Sequence, residues 1–504
     1  MEGVHHMKIL LVYPWYPDTF WSFRHALKFI SRKASFPPLG LLTVAAMLPD
    51  EWEKKVVDLN VNPLEDADIA WADYVFISAM SVQQESARQV IERCHTADVR
   101  IVAGGPLFTA YHDQFPGVDH LVLGEAEVNL KPFLDDLRQD QARRIYNDPR
   151  RANLAETPLP LWELVDPRHY AAMNIQYGRG CPFDCEFCDI TVLFGRAPRT
   201  KLLSQLIAEL DSLHQRGWCG AVFFVDDNFI GDRNRLKEKT LPALIDWMEQ
   251  NDYPFYFYTE ASIDLADDDE LMQLMVRAGF EEVFIGIETP HEDGLAESGK
   301  SPNKNRDLLA SVKHIQQAGL QVHGGFIVGF DSDPPSIFEK QIRFIQESGI
   351  VTAMVGVLSA MRGTRLYERL GKEGRLIGEG GGSNTSADLN FVPRMAPERL
   401  INGYQAILDN IYSPGQFYRR VIQLLKEYRP QPKGPFRVQH GYLGAFFKSM
   451  LFLGIIGRER VHFWKLLAWT LIRKPRLFPL SITYAIYGFH FRKVSEQLKR
   501  CPTC

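Results

Sequence analysis

The stretch Gly178–Ile190 reads GRGCPFDCEFCDI. Cys181, Cys185 and Cys188 are separated by three and then two residues, and a tight loop of that length can turn all three sulfurs toward one point. Three thiolates leave a fourth coordination position open, whereas structural zinc takes four closed ligands and no fourth stands nearby. Gly178, Gly180 and Pro182 suit a loop pressed against a bulky inorganic centre, because glycine tolerates strained dihedrals and proline holds a turn. A disulfide framework fails on count and context, since disulfides pair cysteines evenly and belong to small secreted chains. Zinc with a distant fourth ligand stays open beside the better reading, an iron–sulfur cluster held by three thiolates with one iron free.

The C-x-x-x-C-x-aromatic-C pattern, with Phe187 before the last cysteine, resembles the cluster loop of the radical S-adenosylmethionine (SAM) superfamily. The resemblance implies a [4Fe-4S] cluster on Cys181, Cys185 and Cys188, Phe187 beside the cofactors, and an open iron that chelates the amino and carboxylate groups of SAM. It also implies an external electron donor such as a flavodoxin or ferredoxin, whose electron cleaves SAM to a 5′-deoxyadenosyl radical. The cofactors carry that chemistry, and the protein positions them and excludes water.

Ahead of this loop, short apolar runs alternate with helical patterns: KILLVYP, KVVDLN, YVFISAM, RIVAGGP and HLVLGEAE. Five βα units in about 130 residues predict a parallel, doubly wound sheet. Ligands of such sheets sit beyond the carboxyl ends of the strands. Ser78, Ser81, Gly104, Gly105, Gly124 and Glu125 fall there, and small residues let a large planar ligand approach the backbone. Gly-Gly-Pro taken alone is equally a βα turn. With FPPLGLLTVAA (Phe36–Ala46), this third resembles the cobalamin-binding domain at the front of many radical SAM enzymes, which implies that those strand ends hold the corrin and its nucleotide tail. It departs from the methionine-synthase type in lacking Asp-x-His-x-x-Gly after the first strand, where YPWYPDTFWSF stands, so no histidine is offered to cobalt. A nucleotide-binding flavodoxin-like domain is the alternative, weakened by the absence of G-x-G-x-x-G.

Beyond the connector NDPRRANLAETPLP come six strand runs separated by helices: NIQYGRG, AVFFVDDN, FYFYTEAS, EVFIGIET, VHGGFIVGF and TAMVGVLSA. That is the spacing of an incomplete (β/α)6 barrel of TIM type, with its chemistry at the carboxyl ends. Asp226 and Asp227, Glu260 and Ser262, Glu288, and the glycines of the fifth strand, Gly325 among them, lie at those ends. Carboxylates there can accept charge-assisted hydrogen bonds from an ammonium and from hydroxyls. By resemblance, Asp226 or Asp227 meets the methionyl amine of SAM, Glu260, Ser262 and Glu288 the ribose, and Gly286 passes beside the adenine. Each alone could also be a helix cap or a solvated strand end.

From Gly415 to Cys504 there are 17 Lys and Arg against 3 Asp and Glu, a local charge of +14 in a chain of net charge −5. This asymmetry marks an appended module with its own partner. Its apolar stretches KSMLFLGIIG, FWKLLAWTLI and LFPLSITYAIYGF are too short or too broken to span a bilayer. Two roles are open: a helical cap over the barrel mouth, or an amphipathic surface against anionic lipid at the periphery of the inner membrane. GEGGGSNTSADLN (Gly378–Asn390) reads as a flexible loop, and the terminal Cys501 and Cys504 as a tail without metal partners. The start MEGVHHMKILLVYP begins a strand, so a cytoplasmic location is expected, with no nucleic-acid partner.

The expected organisation is a cobalamin domain at 1–145, a linker at 146–169, a radical SAM partial barrel at 170–377 and a basic, mostly helical module at 378–504. The expected activity is transfer of a methyl group from cobalamin to an unactivated carbon. A non-methylating rearrangement or ring formation and a non-catalytic cobalamin sensor are the alternatives. The substrate, a lipid or another metabolite, is not written in the sequence.

Overall fold

The computed structural model describes residues 6–383, 387–431 and 440–500; Cys501 and Cys504 lie outside the described residues. A first sheet consists of β1 (Lys8–Tyr13), β2 (Glu53–Asp58), β3 (Tyr74–Ser78), β4 (Arg100–Gly104), β5 (His120–Val122) and β6 (Ile145–Tyr146). All pairs are parallel, in the order β2-β1-β3-β4-β5-β6. Ile9, Leu10, Leu11 and Val12 of β1 are fully buried because helices cover both faces, as a parallel sheet requires. The two residues of β6 are too few to produce an alternating pattern, and the sequence reading passed over them.

After β7 (Met173–Ile175), the short antiparallel pair β8 (Gly178–Arg179) and β9 (Arg199–Thr200) brackets the cysteine loop. The chain continues through β10 (Gly220–Phe224), β11 (Phe255–Ala261), β12 (Phe280–Glu288), β13 (Gln321–Val328) and β14 (Ala353–Val357). Six of these form an open parallel sheet in the order β14-β13-β12-β11-β10-β7, the incomplete barrel that six strand runs predict. Alternation fixes its two faces. Phe257 and Phe280 pack outward with Phe224 under the helices, while Phe223, Tyr258, Glu260, Phe284 and Gly286 share the inner face.

The carboxyl-terminal helices close the amino-terminal end of this sheet, and this corrects the expectation of a cap over the mouth. Tyr484 donates to Gln321 at 2.6 Å where β13 begins, Tyr412 to the Ala353 carbonyl at 2.6 Å where β14 begins, and the buried Arg420 to the Val351 carbonyl at 3.3 Å just ahead of β14. Their polar tips satisfy backbone and amide acceptors at the barrel floor while the tyrosine rings fill the core, which gives the aromatic residues of the module a packing role. The first part of the glycine-rich loop packs on the first sheet: the Tyr111 hydroxyl donates to the Gly380 carbonyl, and Gly382 lies so close to Ser81 that a β-carbon on it would stand 2.6 Å away.

Candidate active site

The cysteine loop is held from three sides. Glu186 donates its N–H to the Ser298 carbonyl (2.8 Å) and accepts from Leu366 N–H (3.0 Å), and its carboxylate pairs with Arg369 at 2.7 Å. Arg365 reaches the Asp184 carbonyl at 2.5 Å, so the MRGTRLYERL segment that leaves the barrel buttresses the loop. Phe187 packs against Phe330 at a ring distance of 6.2 Å.

All three thiols are half-buried, and burial raises their pKa values, Cys188 most strongly. Cys185 feels Cys181, Cys188 feels Cys185, and all three feel Lys300. The donor set fits a cluster: three thiolates on one short loop can each take a different iron, and they need not converge on one ion.

Above the loop, the strand ends bring a carboxylate group together. Asp226 accepts from Tyr177 N–H (2.8 Å) and Asp227 from Gly180 N–H (2.7 Å). Burial pushes Asp226 up to about 8, with Asp227 adding to it, and pushes Asp227 up to about 6. Both carboxylates thus hold the backbone that precedes the cysteines, and Asp227, raised less, is the more readily ionised of the two and the better match for an ammonium. Glu260 is raised to about 7 by burial and by the charge of Asp227, with Lys300 opposing. Ser262 exchanges hydrogen bonds with Asn228 at 3.3 Å, and both line a cleft of about 540 Å³ that runs past Pro182 and Phe183.

Glu288 sits at a register shift in β12 with φ of +62°, and its carboxylate pairs with Lys300 at 2.7 Å. A β-carbon on Gly286 would meet Glu288 Oε1 at 2.3 Å and Lys300 Nζ at 2.7 Å. Gly286 thus makes room for this ion pair, a role that the expectation of adenine beside it did not include. Gly325 does the same for Phe284, whose ring would lie 2.7 Å from a β-carbon. Burial opposes the charge of Lys300, but Glu288 and the thiols outweigh it and its pKa rises. Sequence reasoning missed Lys300 and Asn303. Asn303 is fully buried and donates to the Gly286 and Ile287 carbonyls at 3.0 Å. A lone lysine and a lone asparagine in a polar loop carry no pattern; only the fold-back of Ser298–Asn303 onto β12 reveals them.

At the first sheet, Ser78, Ser81, Gly104 and Gly105 form a half-buried shelf, with Gly124 exposed at its edge. A β-carbon would strike the Val122 carbonyl from Gly104 (2.7 Å) and the Ser78 hydroxyl from Gly105 (2.6 Å), so the small residues serve the sheet's own packing as well as an open shelf. The shelf's accessible, small-residue surface fits a broad planar ligand such as a corrin. Glu125 is placed otherwise than expected. It is 1% exposed, and its carboxylate is bound to Arg179 (2.8 Å) and Arg199 (3.0 Å), which leaves nothing for a corrin. Glu127 completes the bridge to Arg179 at 2.7 Å. The strand-end acids of the first sheet thereby tie it to the strands that bracket the cysteines.

Comparison with known proteins agrees with this construction. The B12 binding domain model matches residues 29–133, the radical SAM superfamily model 175–345, and a domain of unknown function (DUF4070) 364–502. The uncharacterized methyltransferase sll1242 of Synechocystis sp. is 39% identical over 98% of this chain and 93% of its own length. The hopanoid C-2 methylase of Rhodopseudomonas palustris is 33% identical over 92% of this chain and 90% of its own. In fold, the chain is similar to the methyltransferase TsrM of Kitasatospora setae solved with cobalamin and a [4Fe-4S] cluster (TM-score 0.63, 13% identity, 98% of this chain and 100% of that one). It is also similar to the cobalamin-dependent radical enzyme OxsB (TM-score 0.62, 14% identity, 99% and 80%).

Two parallel sheets, one presenting a small-residue shelf and the other a three-cysteine loop, define a cobalamin-binding radical SAM enzyme, and the chain belongs to that family. Within it the chain is a methyltransferase whose cofactors are a [4Fe-4S] cluster, SAM and cobalamin. This outcome sets aside the sensor and the non-methylating reaction.

Proposed function

We propose that this enzyme methylates an unactivated carbon of a polycyclic, hopanoid-type lipid. The observation that carries this reading is the 33% identity with the hopanoid C-2 methylase over 92% of this chain. The inner face of the barrel supports it. Phe223 and Tyr258 stack at 4.8 Å, Phe36 joins them at 5.5 Å, and Trp21 meets Phe284 edge-on at 5.5 Å while donating to the Met354 sulfur. An aromatic wall directly below Glu260 and Gly286 suits a rigid hydrocarbon that offers few polar groups.

When bound, the cluster and SAM supply a 5′-deoxyadenosyl radical that takes a substrate hydrogen, and cobalamin supplies the methyl group, with an electron from a flavodoxin or ferredoxin. Cys181, Cys185 and Cys188 hold the cluster; Asp227 accepts from the methionyl ammonium and Lys300 donates to the carboxylate; Glu260 and Ser262 face the ribose. The shelf of Ser78, Ser81, Gly104, Gly105 and Gly124 receives the corrin. A lipid substrate is met at a membrane surface, so peripheral contact with the inner membrane belongs to this reading. The test is anaerobic turnover of the reconstituted enzyme with SAM, reductant and a hopanoid such as diplopterol, followed by mass spectrometry. Expected are 5′-deoxyadenosine and a product heavier by one methylene; 5′-deoxyadenosine without any methylated lipid would turn the reading toward another substrate. Replacement of the three cysteines by alanine removes both products.

A further inference from the structure

Ten of the eighteen large apolar side chains exposed among the described residues fall between Leu443 and Ile472. They form two stripes. Phe447, Leu451 and Ile455 recur every fourth residue along one helical run, and Val461, Trp464, Leu471 and Ile472 lie along the helix Arg460–Arg473. The opposite side of that helix buries Phe463, Leu466 and Leu467, so it is apolar on both faces although among the described residues only one has a protein neighbour. Trp464 Nε1 donates to the Gly454 carbonyl at 2.9 Å, and Gly454 leaves room for its ring, which locks the two stripes side by side into one patch. A patch of this extent marks an interaction surface.

The charges around it identify the partner. Arg458, Lys465, Arg473 and Arg476 are exposed along the same two segments. The three carboxylates between Gly415 and Cys504 are committed elsewhere: Glu427 to Lys313, Glu459 to Arg492 and Glu496 to Lys493. Among the described residues no helix is long and apolar enough to cross a membrane. We propose that the helical hairpin 443–473, within the domain of unknown function, docks the enzyme on an anionic lipid bilayer, lying in its interface with the apolar stripes inserted shallowly and the cations against the headgroups. This gives a surface to the peripheral contact named above, and it stands on exposure and charge whether or not the substrate is a hopanoid.

The experiment is flotation of the full-length reconstituted enzyme with phosphatidylcholine vesicles and with the same vesicles containing phosphatidylglycerol. Recovery should require phosphatidylglycerol and fall with salt. Leu471→Glu with Ile472→Glu should abolish it, and Arg473→Gln with Arg476→Gln should weaken it by more than about tenfold, while SAM cleavage to 5′-deoxyadenosine is unchanged. Equal recovery with both vesicles, no recovery with either, or binding untouched by these variants would overturn the proposal. A change of oligomeric state in Leu471→Glu without a change in flotation would overturn it in favour of a contact between copies. Failure of hopanoid methylation with intact flotation would instead overturn only the substrate reading.

Discussion

Arg179, two residues before Cys181, forms a paired contact with Glu127, in the first turn of the helix that follows β5, at 2.7 Å and 3.0 Å, and a third bond to Glu125 at 2.8 Å. Both carboxylates are nearly inaccessible, at 5% and 1% exposure. The bridge therefore fixes the cysteine loop relative to the small-residue shelf of the first sheet through desolvated charges whose geometry is set by a planar guanidinium.

Removing one member of such a group leaves its partners buried and unpaired. Arg179→Met should cost about 3 kcal/mol or more in denaturant unfolding, with iron still incorporated because no thiol is lost. Arg179→Lys should recover only part, since an ammonium cannot reproduce the fork. A loss below about 1 kcal/mol, the range of exposed pairs, would show that the bridge does not hold the two sheets together.

Lys300 offers a second test. Placed 2.7 Å from Glu288 and facing all three cysteines, it is the cation positioned to receive a carboxylate at the cluster. Lys300→Met should weaken SAM binding about tenfold or more, the worth of a hydrogen bond to a charged group, with full iron content. The double variant with Glu288→Gln removes the stranded charge and should show the same loss of affinity. Unchanged SAM binding in the double variant would refute the assignment.

Five strands of the first sheet, the six of the second and the cysteine loop were legible because each rests on a local signal: apolar runs such as KILLVY, or three thiols within eight residues. What the sequence hid are relations between distant segments. Glu125 looked like a strand-end ligand and is an ion-pair partner of Arg179, 54 residues on. Gly286, read as passing beside adenine, also makes room for Lys300, a role that spacing could not show. Spacing cannot show where a long side chain will point, nor which end of a barrel an aromatic helix will close.

The cobalt environment follows from the segments that leave the first sheet. No histidine occurs in Pro14–Phe20, Leu59–Glu65, Ala79–Gln83, Gly105–Phe108 or Leu123–Glu127. Tyr16 and the exposed Met80 stand at this edge, joined by a 3.0 Å hydroxyl–sulfur contact. Bound cobalamin should be base-off with no protein imidazole on the metal. Electron paramagnetic resonance of the cobalt(II) form checks this, and nitrogen hyperfine structure from a protein histidine would be the contrary result.

The barrel floor carries a pH signature. Glu282 and His323 face each other at 3.3 Å beneath Tyr258 and Tyr484. Burial, with Glu281 adding, pushes Glu282 up to about 8, and burial lowers His323 to about 4. Both are therefore neutral near pH 7, and the protonated carboxyl can donate to the imidazole. The folded state holds the Glu282 proton more tightly than the unfolded chain does, so its contribution is complete at low pH and is lost as pH rises through about 8. His323 acts oppositely, adding stability as pH climbs from about 4 to 6.5 and nothing further above that. Between pH 6.5 and 8 only Glu282 of this pair changes. Asp226 and Glu260 titrate in the same window, so the comparison must be between the wild type and Glu282→Gln. Melting temperatures across a buffer series should decline more steeply with pH for the wild type than for the variant, whose amide keeps a donor toward His323 at every pH. Parallel profiles would mean that Glu282 is already ionised in the folded enzyme and paired with a charged His323.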